Sequence, residues 1–100
     1  DVFLLALDNI KPELEIRPRR IGGAAYQVPM PVKSRRKESL AIRWLVNEAR
    51  KRPNVSYHSF AEKLAAEIID ASNNTGGAIA KKQEVERAAE SNRAFAHLRW

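Results

Sequence analysis

Gly22-Gly23 lies in a stretch that also holds Pro18, Pro29 and Pro31, each of which removes a backbone donor that a helix interior would need. On one side of the pair, Leu14 and Ile16 alternate with Glu15 and Arg17; on the other, Tyr26, Val28 and Met30 fall at every second position. Two glycines between two alternating runs signal a hairpin, because the primed two-residue turns need positive φ and glycine adopts it without strain. A phosphate-cradling glycine loop would instead follow a buried apolar strand and open a helix. Here the preceding run is charged and the following one extended, so the pair reads as a turn. If Ile21 pairs with Ala24, then Arg20 faces Ala25, Arg19 faces Tyr26 and Arg17 faces Val28. One face carries Glu15, Arg17, Arg19, Tyr26, Val28 and Met30, and the other Leu14, Ile16, Pro18, Arg20 and Gln27. Pro18, Pro29 and Pro31 each lack a backbone donor, which discourages further strands. A lone hairpin is marginal in water. The expectation is therefore a protruding arm over about residues 14–32, rooted at Leu14 and Ile16, whose basic tip settles on something else.

The rest of the chain has helical periodicity. Phe3-Leu4-Leu5-Ala6-Leu7 with Ile10 reads as the end of a helix that Lys11-Pro12 stops. Over 34–52, Leu40, Ala41, Trp44, Leu45 and Ala49 recur at helical spacing, with Ile42 and Val46 widening the stripe, Ser34 as N-cap and Pro53 as terminator. Arg36, Arg43 and Arg50 repeat every seventh residue and so share a face. Ser59-Phe60-Ala61-Glu62 is a capping box opening a helix whose buried side is Phe60, Leu64, Ile68 and Ala71, with Glu62, Glu67 and Asp70 on a solvated face. Asn73 to Gly77 is a stop and turn. A last helix runs from about Ala78 past Ala89, with Ile79, Val85, Ala88 and Ala89 as core contributors. The expected fold class is mainly α: a small helical bundle with a protruding two-stranded β-hairpin arm, in one domain.

Composition narrows the chemistry. There is no cysteine, which excludes disulfides and thiolate metal sites. The only histidines, His58 and His97, lie far apart, and no His, Asp and Glu set has metal-ligand spacing or a Ser-His-acid arrangement. No enzyme, cofactor or metal is expected. The apolar runs are too short to span a bilayer, and no signal peptide is visible. Net charge is +6, and residues 11–52 hold twelve bases against four acids, a local excess of +8. Such a field implies a polyanionic partner: nucleic acid first, an anionic membrane surface second. Arg35, Arg36 and Lys37 crowd a helix start, where cations are disfavoured by roughly 0.3–1 kcal/mol each. A docked phosphate would reverse that sign. Lys81-Lys82 repeats the pattern near the start of the last helix. Tyr26 opposite Arg19 could stack on a base or cover its cross-strand neighbour. Phe95 to Trp100 mixes aromatic and basic residues that could grip RNA or a protein, or pack back on the bundle. Two rivals remain at this point. A DNA-binding helix-turn-helix module needs a recognition helix, and the helix after Ser59 is acidic at Glu62 and Glu67. A helical protein-protein adaptor would present an exposed apolar stripe.

Several stretches, taken in order, resemble the bacterial and organellar family of small-subunit ribosomal protein seven: Asn9-Ile10-Lys11-Pro12, Arg19-Arg20-Ile21-Gly22-Gly23-Ala24, Tyr26-Gln27-Val28-Pro29, Leu40-Ala41-Ile42-Arg43-Trp44, Ala49-Arg50-Lys51-Arg52, Ile69-Asp70-Ala71 and the run from Ala89 to Trp100. The resemblance implies a structural, non-enzymatic constituent of the ribosome that binds the 3′ major domain of small-subunit rRNA and nucleates head assembly. It implies a hairpin arm near the exit-site tRNA and the mRNA path, a role that falls on Arg19, Arg20, Gly22, Gly23, Tyr26 and Gln27, with Arg17 counted among the RNA-binding residues. It maps a basic RNA-facing helix onto Lys33, Arg35, Arg36 and Arg43, and the family's last helix onto Lys81, Lys82 and Arg93. Partners implied are small-subunit rRNA, tRNA, mRNA and neighbouring ribosomal proteins, with no membrane. The compartment implied is bacterial cytoplasm, or a plastid or other organelle. Family members often carry a His where Glu86 stands. The chain opens at Asp1-Val2-Phe3 without an initiator Met, so a preceding part of the family's chain is expected to be missing.

Overall fold

The computed structural model describes residues 1–98. Its elements are α1 (Val2–Ile10), β1 (Leu14–Ile21), β2 (Ala24–Pro31), α2 (Ser34–Arg50), α3 (Phe60–Ser72), α4 (Gly77–Ser91) and a 3-10 helix (Arg93–Leu98). Mainly helical with one antiparallel hairpin, this is the expected class. Arg99 and Trp100, the end of the aromatic and basic terminal stretch, lie outside the described residues.

The hairpin has the register that the glycine pair dictates. Ile21 pairs with Ala24, Arg19 with Tyr26 and Arg17 with Val28. Gly22 and Gly23 both have positive φ, 58° and 85°, as a two-residue primed turn requires. Its root differs from expectation. Leu14 and Ile16 are only half-buried, whereas Val28 and Pro29 are fully buried and Glu15 is 8 % exposed. Val28 and Pro29 are adjacent and so point to opposite faces; their joint burial means that the root is covered on both sides. The covering comes from α4 and the 3-10 helix. Phe95 packs on Tyr26 with ring centroids 5.4 Å apart and planes tilted by 52°. The Glu86 carboxylate accepts the Glu13 backbone N–H at 2.8 Å, and Val32 N–H closes the hairpin base on Glu13 C=O at 3.0 Å.

Helix α1 is capped by Asp1, whose carboxylate accepts from Phe3 N–H at 2.8 Å. It ends at Lys11, which takes the extended conformation that a following proline demands. The core joins Ala6, Leu7 and Ile10 of α1 to Leu40, Ala41, Trp44 and Leu45 of α2, Ala71 of α3, and Ala78 and Ile79 of α4, with Val32 beneath the hairpin. Alanines at the contacts let the helices approach closely. Asn9 fastens α1 to the end of α3 by donating to the Ala71 and Ser72 carbonyls at 3.0 and 3.3 Å.

Four local expectations need correction. Lys33 rather than Ser34 occupies the N-cap position of α2; it is extended and makes no side-chain capping bond, and Ser34 is the first helical residue. Ile42 is 47 % exposed and Phe60 44 %, so both stand outside the apolar stripes that were expected to hold them. The Ser59 hydroxyl caps α3 by accepting from Glu62 N–H at 3.2 Å, but the Glu62 carboxylate reaches back to His58 N–H at 3.0 Å, one residue beyond the usual box partner. Glu67, expected on a solvated face, is buried at 2 % exposure.

The turn between α3 and α4 depends on one glycine. Gly76 has φ 94° and ψ 177°, a region open essentially to glycine alone. A Cβ there would lie 2.8 Å from Glu67 Oε2 and 3.0 Å from Asp70 Cβ. Gly76→Ala should cost about 1–3 kcal/mol from the backbone alone, plus the displacement of Glu67. At Gly22 nothing lies within 4 Å of an added Cβ, and asparagine tolerates the left-handed region, so Gly22→Asn should lie within about 1 kcal/mol of wild type. Urea denaturation of both variants checks the contrast; equal losses would show that Gly76 is not constrained as described.

Candidate nucleic-acid interface

Three adjoining concavities follow α2 from the hairpin root to α4. The first is lined by Glu15, Arg17, Met30, Pro31, Lys33 and Arg36. The second is lined by Lys33, Arg35, Arg36, Ser39 and Arg43, sharing Lys33 and Arg36 with the first. The third is lined by Arg43, Trp44, Asn47, Glu48, Lys51 and Lys81, sharing Arg43 with the second. The shared residues make one cationic path. It is assembled from three separate stretches: the hairpin root meets the start of α2, and the start of α4 meets its second half. No side chain caps the first turn of α2, so backbone donors there are left to water or a ligand.

Two of the three crowded cations already have partners. Arg36 meets Glu15 through two hydrogen bonds: Nε donates to Oε2 at 2.6 Å and Nη2 to Oε1 at 3.0 Å. These bonds raise the Arg36 pKa, against the smaller opposing effect of burial. Lys37 donates to Glu13 at 2.9 Å. The hydrogen bond from Lys37, and then its charge, lower the Glu13 pKa; Lys82 adds to this. That stabilisation is complete above the ordinary glutamate range and disappears as pH falls through the lowered folded value. Glu13 and Glu15, around the start of β1, thus answer a charge cluster that α2 alone leaves unbalanced. Arg35 makes no ion pair among the described residues and stands exposed.

The remaining sequence-selected residues lie elsewhere. Arg19, Arg20, Gly22, Gly23 and Gln27 belong to the outer arm, with Arg17 and Arg19 on one face and Arg20 on the other. Tyr26 is half-buried, with Phe95 packed against its ring. Lys82 is half-buried outside the three concavities, and Arg93 is exposed and pairs with Glu90 at 3.1 Å.

Sequence reasoning missed a second charged cluster. Arg52, just past α2, has a side chain only 16 % exposed. Its Nη2 donates to Glu67 Oε2 at 3.0 Å and also to Asp70, while Nη1 donates to the Tyr57 hydroxyl at 2.9 Å. Burial on its own would lower the Arg52 pKa, but the bonds to Asp70 and Glu67 raise it well above its ordinary value. The signal was present in the spacing. Glu67 follows Leu64 by three residues and precedes Ala71 by four, so helical periodicity places it on the buried side. Lys51, which pairs with Glu48 at 2.8 Å and lines the third concavity, was also missed. Among the described residues no group of three or more His, Cys, Asp or Glu could hold a metal ion, and no helix is long and apolar enough to cross a membrane.

The chain is similar to proteins named small ribosomal subunit protein uS7. It is 60 % identical to that of Caldanaerobacter subterraneus subsp. tengcongensis over 100 residues, covering 100 % of this chain and 62 % of the relative. The values are 58 % over 99 residues for Treponema denticola, covering 99 % and 62 %, and 56 % over 100 residues for Thermomicrobium roseum, covering 100 % and 62 %. The chain therefore spans a little under two thirds of the length of these relatives. The family model described as ribosomal protein S7p/S5e matches residues 1–93, and the chain belongs to that family.

Proposed function

We propose that this chain is a structural, non-enzymatic constituent of the small ribosomal subunit that binds rRNA in its 3′ major domain and nucleates assembly of the head. The observation that carries this is the continuous cationic path from Arg17 through Lys33, Arg35, Arg36 and Arg43 to Lys81. Lysine and arginine on such a path release counterions from phosphates, while the rigid bundle sets the shape of the RNA that fits. Exposed aromatics that would stack single-stranded bases are few along the path, which favours recognition of folded RNA. The bacterial relatives named as small-subunit proteins support the same reading and a bacterial ribosome as its place. The whole segment acts as one rRNA-binding domain. Arg19, Arg20, Gly22, Gly23, Tyr26 and Gln27 extend the surface towards exit-site tRNA and mRNA, and Lys82 and Arg93 add peripheral contacts to RNA or to neighbouring ribosomal proteins.

The test is hydroxyl-radical footprinting on small-subunit rRNA with two chains: the protein as it stands, and one in which Pro18–Gln27 is replaced by Asn-Gly. Arg17 and Val28 face each other across the hairpin, so a two-residue turn can join them. The expected result is a shared footprint in the 3′ major domain, with protections specific to the arm lost from the shortened chain. A footprint outside that domain, or stronger protection of competing duplex DNA, would refute the proposal.

A further inference from the structure

The Glu15–Arg36 pair presents a puzzle for a surface that binds phosphate. A carboxylate inside a cationic cleft repels the ligand, and by charge alone its removal should tighten binding. The geometry points to the opposite: we infer that Glu15 is a positioning residue for RNA binding, holding one edge of the Arg36 guanidinium so that its other edge faces a phosphodiester. This rests on the reading of the cationic path as the RNA surface.

Three observations support it. Both bonds from Arg36 to Glu15 come from the same edge of the guanidinium, Nε and Nη2, and nothing among the described residues engages Nη1. The two side chains are unequally buried: 11 % of the Glu15 side chain and 42 % of the Arg36 side chain are exposed, so the carboxylate lies beneath and the cation at the surface. Arg36 lines both the first and the second concavity, whereas Glu15 lines only the first. A planar guanidinium has five donors in a fixed fork, so fixing one edge determines where the rest point. An untethered arginine gives up rotamer freedom when it binds, and the carboxylate removes that cost beforehand. The same pair ties β1 to α2, which keeps Arg17 at a fixed spacing from Lys33.

The experiment measures affinity for a transcript of the 3′ major domain of small-subunit rRNA by fluorescence anisotropy, with wild type, Glu15→Gln, Arg36→Ala, the double variant and Arg36→Lys. Glu15→Gln should weaken binding about three- to tenfold, the size of the rotamer freedom an unheld side chain loses. In the Arg36→Ala background the same change should weaken it no further. A purely structural role would lower affinity in both backgrounds alike and overturn the inference. So would unchanged or tighter binding by Glu15→Gln alongside a normally binding wild type, which leaves the RNA reading intact. If circular dichroism shows Glu15→Gln to be unfolded, Arg36→Lys decides, since it keeps the charge and loses the fork: wild-type affinity overturns the inference, and a three- to tenfold loss supports it. A wild type whose binding ignores salt overturns the RNA reading and this inference together.

Discussion

Arg52→Met should destabilise the RNA-free protein by about 3–5 kcal/mol, the usual cost of stranding a buried charge by removing its partner. Glu67 is 2 % exposed, and Arg52 is its only ion-pair partner among the described residues. For a chain whose total stability is on the order of 5–15 kcal/mol, that loss brings unfolding close to ambient conditions. The double variant Arg52→Met/Glu67→Met should regain most of it, because replacing a whole buried pair by apolar residues is often close to neutral. Asp70, 43 % exposed, remains solvated in either variant. Urea unfolding followed by circular dichroism measures both. A single variant within about 1 kcal/mol of wild type, or a double variant worse than the single, would show that the cluster does not carry the junction of α2, α3 and α4.

Affinity for structured rRNA should fall about 300- to 2,000-fold between 50 and 200 mM monovalent salt. The figure follows from six phosphates engaged by Arg17, Lys33, Arg35, Arg36, Arg43 and Lys81. With roughly 0.7 to 0.9 counterions released per contact, the log-log slope lies between about −4.2 and −5.4. Arg35→Ala should reduce the slope by about 1 and leave the melting temperature unchanged, since Arg35 makes no ion pair among the described residues. Arg36→Ala is not equivalent. It would also lower stability, because Glu15 loses both bonds that hold it. A titration series at several salt concentrations with a parallel thermal melt separates the two effects. A slope near zero would favour a protein-protein adaptor.

The hairpin was legible residue by residue because two glycines fix the loop length and pairing then follows by counting. The interior of α2 was legible for a similar reason: Leu40, Ala41, Trp44, Leu45 and Ala49 leave one way to face a core. Periodicity finds the direction of a stripe but not its width, which is why Ile42 and Phe60 were placed inside. The cationic residues of the candidate site, Lys51 excepted, were found by charge, but the partners of Arg36 and Lys37 were not. Glu15 and Glu13 reach them only once the hairpin root is seated, and that is a tertiary fact. Glu67 shows a different failure. Its spacing was right for burial, and its polarity argued against it, because the arginine that makes burial tolerable lies 15 residues away. Tyr26 was read against its cross-strand neighbour, while its ring partner, Phe95, comes from the far end of the chain.

The seat of the hairpin also orders events in time. The Gly22-Gly23 turn can close within about 1–10 μs of emerging. Yet Glu86, which binds the hairpin's first residues, follows Glu13 by 73 positions, and Phe95 comes later still. At about 5–20 residues per second of synthesis, a nascent chain carries an undocked arm, opening and closing, for several seconds. During that interval its arginines hang from a tether rather than a wall, and only translation of the final helical turns converts the appendage into a fixed lever.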